Sequence, residues 1–283
     1  MKLNPLFASV VLSVSAFAVF PLQARAAMPQ FKRIMFVIFE STDYQAALAQ
    51  PTFAKIARDG ALLTNVHAET HPSQGNYLAL ISGSTQGVNS DRPVNLSVPH
   101  VGDLLEAKGK SWKIYLESFP GGCFIGGNFG TSVRKHNPFI SFLNIQNNAE
   151  RCSKHLVDAH QLDTDSQAGQ LPDYSIYIPD MNNDGHDTGV AFADRWISST
   201  FMSKLQDPHF MQDLLVVFTF DEGCTHGSNQ IYTAFYGASV SPGTTFAGAA
   251  DHTTLLKLVE DQLGLGNLGQ ADATGGAITG IWK

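Results

Sequence analysis

The chain has 283 residues, 43% hydrophobic and 15% charged, a globular composition long enough to bury a sizeable core. Its formal charge of −7 excludes the basic footprint of a nucleic-acid-binding protein, and it holds no repeat, heptad or low-complexity tract.

The first 26 residues stand apart. Lys2 precedes a largely apolar run from Leu6 to Phe20, and Ala24-Arg25-Ala26 has the small-x-small form of a cleavage site. The run is shorter than the roughly 20 residues a spanning helix needs. It predicts a signal peptide cut after Ala26, and with it a periplasmic or secreted chain of residues 27–283 in one domain. Lys2 and Arg25 are the only charges removed, so that chain carries −9. No later stretch is long and apolar enough to span a bilayer.

Ile34 to Phe39 (IMFVIF) is an unbroken apolar run with β-branched and aromatic residues, the pattern of a strand buried on both faces. Pro51 to Arg58 reads as a helix stopped by Asp59-Gly60, and Leu62 to Val66 as a strand. In THPSQGNYLALISG (70–83) the proline disfavours helix before it, so a helix is expected from Ser73 to about Ser82, ended by Gly83. Val101 to Lys108 follows as a helix and Trp112 to Leu116 as a strand. Tyr174 to Ile178, Leu214 to Phe220 and Tyr232 to Tyr236 read as strands, whereas Val190 to Leu205 and Thr253 to Leu263 have helical spacing. Strands alternating with helices predict an α/β domain on a mostly parallel sheet.

Ligands of such sheets bind beyond the carboxyl ends of the strands. Acidic residues collect there: Glu40 to Asp43 after the first strand, PDMNNDGHDTG after Ile178, and Asp221-Glu222 after Phe220. Clustered carboxylates repel one another unless a cation or protons neutralise them. Glu40, Asp221 and Glu222 offer hard oxygen ligands, with imidazole available from His186 and His252, a set suited to Mg, Mn, Ca or Zn. A cation beside Ser73 would turn its hydroxyl into a nucleophile, although the same serine reads equally as a helix cap. Arg134-Lys135-His136 reads equally as a solvated basic loop, and the turn-forming residues around His186 as a surface turn. The glycines of GGCFIGGNFG (121–130) lack the Lys-Ser/Thr ending of a phosphate loop. Three cysteines allow three pairings; Cys123 with Cys152 is favoured because they bracket this Gly-rich, then polar stretch, leaving Cys224 odd.

Eight stretches in order, FESTDY (39–44), THPSQGNYLALISG (70–83), SWKIYLES (111–118), RKHNPF (134–139), IPDMNNDGHDTG (178–189), TFDEG (219–223), DHTTL (251–255) and LGQAD (268–272), resemble the phosphoesterase family of phosphate-repressible acid phosphatases and bacterial phospholipases C. The resemblance runs from about Arg33 to Asp272 and implies an alkaline-phosphatase-like three-layer α/β/α sandwich. It implies Ser73 as nucleophile and metal contact, with Glu40, Asp221 and Glu222 as ligands of at least one divalent metal ion. By the same match, His71, Asn76, His136, His186 and His252 would line the phosphate pocket, and His186 is taken as the acid that protonates the leaving oxygen.

The chain departs from the family at Ser41, where an asparagine ligand is usual, at Asp180, where relatives often carry asparagine, and at Gly75, where proline is frequent. Ser41 is expected to ligate with a shorter reach and a looser hold on the metal. The expected function is an exported metal-dependent acid phosphatase acting on small phosphomonoesters. A phospholipase C and a phosphate- or lipid-binding relative without turnover are the rival readings.

Overall fold

The computed structural model describes Met1, residues 31–224 and residues 227–283. The expected signal peptide, apart from Met1, lies outside the described residues. Among them, no helix is long and apolar enough to cross a membrane.

Among the described residues, ten strands form in chain order: β1 (Arg33–Phe39), β2 (Ala61–Leu63), β3 (Trp112–Leu116), β4 (Asn128–Phe129), β5 (Ser132–Val133), β6 (Leu156–Asp158), β7 (Tyr174–Ile178), β8 (Leu214–Phe220), β9 (Thr233–Tyr236) and β10 (Thr244–Phe246). Eight make one sheet in the order β10-β2-β9-β8-β1-β7-β3-β6, while β4 and β5 pair as a separate hairpin. Only β9 runs against the others, so the α/β expectation of a mostly parallel sheet holds. The apolar runs form its centre: β1, β7 and β8 are buried almost without interruption, as strands covered on both faces must be.

Among the described residues, ten helices accompany the sheet: α1 (Tyr44–Leu48), α2 (Pro51–Asp59), α3 (Gln74–Ser82), α4 (Val101–Ala107), α5 (Leu143–Gln146), α6 (Ala149–His155), α7 (Gln161–Gln167), α8 (Val190–Thr200), α9 (Met202–Gln206) and α10 (His252–Leu263). Seven of them pack in two groups, α1, α2, α8 and α9 in one and α3, α4 and α10 in the other, giving the three-layer sandwich. Every residue of α3 is buried, which is why its apolar residues run all round the helix.

The differences from expectation are local. The strand expected to run to Val66 ends at Leu63, and Val66 makes only an isolated bridge to Ala250. The helix expected over 190–205 breaks at Phe201, after three poor helix formers, Ser198, Ser199 and Thr200. The Phe201 ring turns into the core against Tyr177, Trp196 and Phe218. Cys123 and Cys152 form a disulfide that joins the Gly-rich segment to α6, and Cys224 is a free thiol.

Candidate active site

β1 and β8 are neighbours in register, Phe39 opposite Phe220, so the residues that follow them emerge side by side. The Asp221 N–H donates to the Phe39 carbonyl at 2.9 Å, and the Glu40 N–H donates to the Asp184 carbonyl at 3.1 Å. Three loops, after β1, β7 and β8, thus converge on Glu40.

Ser73 stands at the N-terminus of α3 and is 1% exposed, yet its side chain makes no capping hydrogen bond. The Gln74 N–H is capped instead by Asp91 Oδ1 at 3.1 Å. The Ser73 hydroxyl is left to donate to Glu40 Oε1 at 2.6 Å, with Glu222 Oε1 at 3.3 Å. The expected cap therefore comes from elsewhere, and the Ser73 hydroxyl faces the carboxylates.

Glu40, Asp221 and Glu222 bring one carboxylate oxygen each within 4.8 Å of one another, all buried, and Glu40, His136 and Asp184 form a second such group. Ser41, at φ 38°, donates from its N–H to Asp221 Oδ1 at 2.9 Å and from its hydroxyl to Glu222 Oε1 at 3.0 Å. His71 Nδ1 lies 2.6 Å from Glu222 Oε2, and His136 Nε2 lies 2.6 Å from Glu40 Oε2. The Tyr77 ring of α3 stacks on His136, with centroids 5.1 Å apart, and fixes that imidazole.

Burial, then repulsion from Glu40 and Glu222, pushes Asp221 well above the usual carboxylate range. Burial also pushes Asp184 up to about 8 and raises Glu222. Glu40 goes the other way: burial works against its charge, but His136 and Lys135 outweigh it and hold the carboxyl well below its ordinary value. Asp221 Oδ2 finds no donor among the described residues. Buried carboxylates with oxygens left over, and an imidazole beside them, fit a divalent cation with hard oxygen ligands. Glu40, Asp221 and Glu222 would hold it, with Ser73 and Ser41 within reach.

Other expected residues lie elsewhere. Asn76 is turned back on its own loop, accepting from the Glu69 and Thr70 N–H groups at 3.0 and 2.9 Å and donating to the Thr70 carbonyl. Its amide braces the approach to Ser73, with Oδ1 taken up by two backbone donors. His252 is 1% exposed, with Nδ1 2.6 Å from Glu69 Oε2 and Nε2 3.1 Å from the Phe220 carbonyl. It supports the residue before Asp221 from behind, and Asp251 beside it caps α10 through Thr254. His186 is half-exposed, its N–H bound to Asp184 Oδ1 at 2.8 Å and its ring to Asp187 Oδ1 at 2.7 Å. Asp180 accepts from the Ser118 and Thr131 hydroxyls at 2.7 and 2.6 Å, so its carboxylate is met by side chains from two other loops. A Cβ at Gly75 would sit 2.6 Å from the Thr70 methyl and 2.8 Å from the Val88 carbonyl, which makes this a close-packed position.

Three site residues escaped the sequence reading. Lys135 places Nζ 3.0 Å from Glu40 Oε1 and 3.3 Å from Ser73 Oγ, Asp184 joins Glu40 and His136, and Asp91 caps α3. Lys135 and Asp184 lay inside the quoted RKHNPF and NNDGHD stretches, whereas nothing in the sequence around Asp91 singles it out.

Residues 28–266 match the model of the Phosphoesterase family. The chain belongs to that family. Among its relatives, a probable acid phosphatase of Kluyveromyces lactis is 36% identical over 86% of this chain and 60% of its own length. An acid phosphatase of Aspergillus fumigatus is 33% identical over 86% of this chain and 57% of its own. The chain therefore spans about 60% of these curated phosphoesterases. A phosphatidylinositol-3-phosphatase of Mycobacterium tuberculosis is 32% identical over 92% of this chain and 85% of its own length. An alkaline phosphatase superfamily protein of Vibrio parahaemolyticus superposes with a TM-score of 0.61 at 11% identity, covering 90% of this chain and 76% of its own, which shows the fold to be alkaline-phosphatase-like.

Proposed function

We propose that this phosphoesterase is an exported, divalent-metal-dependent acid phosphatase with Ser73 as nucleophile. The observation that carries the reading is the Ser73 hydroxyl, released from capping and held 2.6 Å from a buried carboxylate of the candidate metal cluster. The cation would stabilise the alkoxide of Ser73 and polarise a phosphoryl oxygen when bound. Ser73 passes its proton to Glu40 Oε1, and its Oγ bonds to phosphorus as the bond to the ester oxygen breaks. His186, anchored through its N–H to Asp184 at the edge of the cluster, gives that oxygen its proton once its ring leaves Asp187. Water then hydrolyses the phosphoserine, returning the free hydroxyl and inorganic phosphate. The acid phosphatase relatives support the reaction class, and the charged, then apolar first 26 residues together with the Cys123–Cys152 bridge support export.

A lipid substrate is the second reading. Ile125 and Phe129 are 55% and 52% exposed in the segment that leads into Lys135, and one relative is named a phosphatidylinositol-3-phosphatase.

A panel of a chromogenic phosphomonoester, its phosphodiester counterpart and phosphatidylcholine separates these readings and the non-catalytic one. The monoester should be turned over fastest, chelation should abolish turnover, and a divalent cation should restore it. Preference for the diester or the lipid, or activity that survives chelation, would overturn the proposal. The exported protein used in the assay should begin at Ala27; an intact Met1 would remove the export part alone.

A further inference from the structure

Lys135 is not a solvated surface lysine. Its side chain is 18% exposed, and Nζ is held between Glu40 Oε1 at 3.0 Å, Ser73 Oγ at 3.3 Å and Asp91 Oδ2 at 3.4 Å. Asp91 uses its other oxygen on the Gln74 N–H, so it ties the ammonium to the first turn of α3, directly beside Ser73. The backbone is moored as well. The Arg134 N–H donates to the Gly127 carbonyl at 2.7 Å, and its guanidinium donates to the Ile125 and Ile140 carbonyls at 2.6 and 3.2 Å. Among the described residues, no other lysine or arginine forms an ion pair with Glu40, Asp184, Asp221 or Glu222.

Beside Lys135 stand the carboxylates of Glu40, Asp221 and Glu222, with His71, His136 and two serines bonded to them, and any carboxylate charge left uncompensated there repels an incoming phosphate. Above its second pKa, about 6, a phosphomonoester carries about two negative charges, whereas a diester carries one, so discrimination by this charge belongs to about pH 7 and above. The second charge raises both the repulsion from the carboxylates and the gain from a fixed cation. An ammonium within hydrogen-bonding reach of the attacking oxygen also reaches a non-bridging oxygen on the phosphorus that this oxygen attacks.

We propose that Lys135, positioned by Asp91, is a catalytic residue that selects phosphomonoester dianions over phosphodiesters. The inference rests on the nucleophilic role of Ser73 proposed above and adds the substrate class to it.

The test compares Lys135→Met and Lys135→Gln with the wild type. It measures kcat/KM for a chromogenic phosphomonoester and for the matching diester, and binding of inorganic phosphate by calorimetry at equal metal content. The monoester kcat/KM should fall about 10- to 100-fold, the usual worth of one charge-assisted hydrogen bond, while the diester value changes far less. Phosphate affinity should fall about tenfold or more. Equal losses on both substrates, or unchanged phosphate affinity in the folded variants, would overturn the assignment. If the wild type binds phosphate but turns over neither ester, the proposed function falls, and the binding comparison alone decides for or against Lys135. A wild type that does neither refutes both. Two variants of different polarity keep the test decisive should one fail to fold.

Discussion

Ser73 carries the proposed chemistry, and its setting sharpens what its removal must do. A lost N-cap costs about 0.5–2 kcal/mol, but the Ser73 hydroxyl caps nothing, so Ser73→Ala and Ser73→Gly should both remain folded and lose only the buried bond to Glu40, about 1–3 kcal/mol. Turnover should fall by orders of magnitude in both, because no phosphoserine can form. A folded Ser73→Gly protein with wild-type phosphatase activity would refute the mechanism. Ser41 gives a second handle. Its positive φ of 38° belongs to a region that asparagine enters more readily than serine, and asparagine brings a longer oxygen ligand. Ser41→Asn should tighten metal binding several-fold in a titration followed by calorimetry. Unchanged affinity would place residue 41 outside the ligand set and leave its hydroxyl only the role of orienting Glu222.

Elements that frame the site are held by side chains from other elements. The N-terminus of α2 begins with Pro51 after Gln50, which supplies no cap. Asp194 of α8, itself buried, accepts from the Thr52 and Phe53 N–H groups at 2.8 and 3.0 Å and from the Thr52 hydroxyl at 3.0 Å. A carboxylate at a helix N-terminus also meets the positive end of the helix dipole. Asp194→Ala strands two buried N–H groups and the Thr52 hydroxyl and should destabilise the chain by about 2–3 kcal/mol in urea unfolding, with kcat per folded molecule unchanged. A loss below about 0.5 kcal/mol would mean that water or a neighbour replaces the carboxylate. Asp91 plays the same part for α3, and the capping box of Asp251 and Thr254 does it locally for α10. The local box is legible in DHTTL; the two caps delivered from a distance are not.

For the molecule as a whole, one buried acid outside the site sets a pH dependence of stability. Glu260 of α10 is 2% exposed, and the group facing its carboxylate is the carboxylate of Asp272, which it can meet only by holding a proton. Burial, then the adjacent Asp272, pushes its carboxyl up to about 9 from an ordinary value of 4.5. The folded chain therefore keeps a proton between these values that the unfolded chain has released. The unfolded state binds fewer protons there, so stability falls as pH rises through this window, by at most about 1.4 kcal/mol per pH unit. Glu260→Gln should flatten that decline, with its gain over the wild type growing up to about pH 9. Denaturant unfolding at pH 5 and pH 8 measures it; parallel pH curves for the two proteins would show that Glu260 ionises normally.

Continuous apolar runs such as Ile34–Phe39 and Leu214–Phe220 determined the central strands by themselves, because only a strand covered on both faces can bury every residue of such a run. The acids placed directly after those runs were legible for the same reason: a buried strand delivers its next residue to the sheet's carboxyl edge whatever the rest of the chain does. The three-residue edge strands β6 and β10 carry no comparable signal, since their definition comes from the ladder they join. His71, His136, Asn76, His186 and His252 lay in equally well-marked stretches, yet the fold brings His71 and His136 against the carboxylates, turns Asn76 and His252 to the backbone, and leaves the His186 ring half-exposed beside Asp187. Lys135 and Asp91, 44 positions apart and carrying no shared pattern, become partners over Ser73 only in three dimensions. A side chain's direction depends on the loop that carries it and on the acceptors that surround it, and those acceptors come from distant parts of the chain. Sequence alone therefore determined which residues reach the carboxyl edge of the sheet; tertiary structure decided which of them face one another.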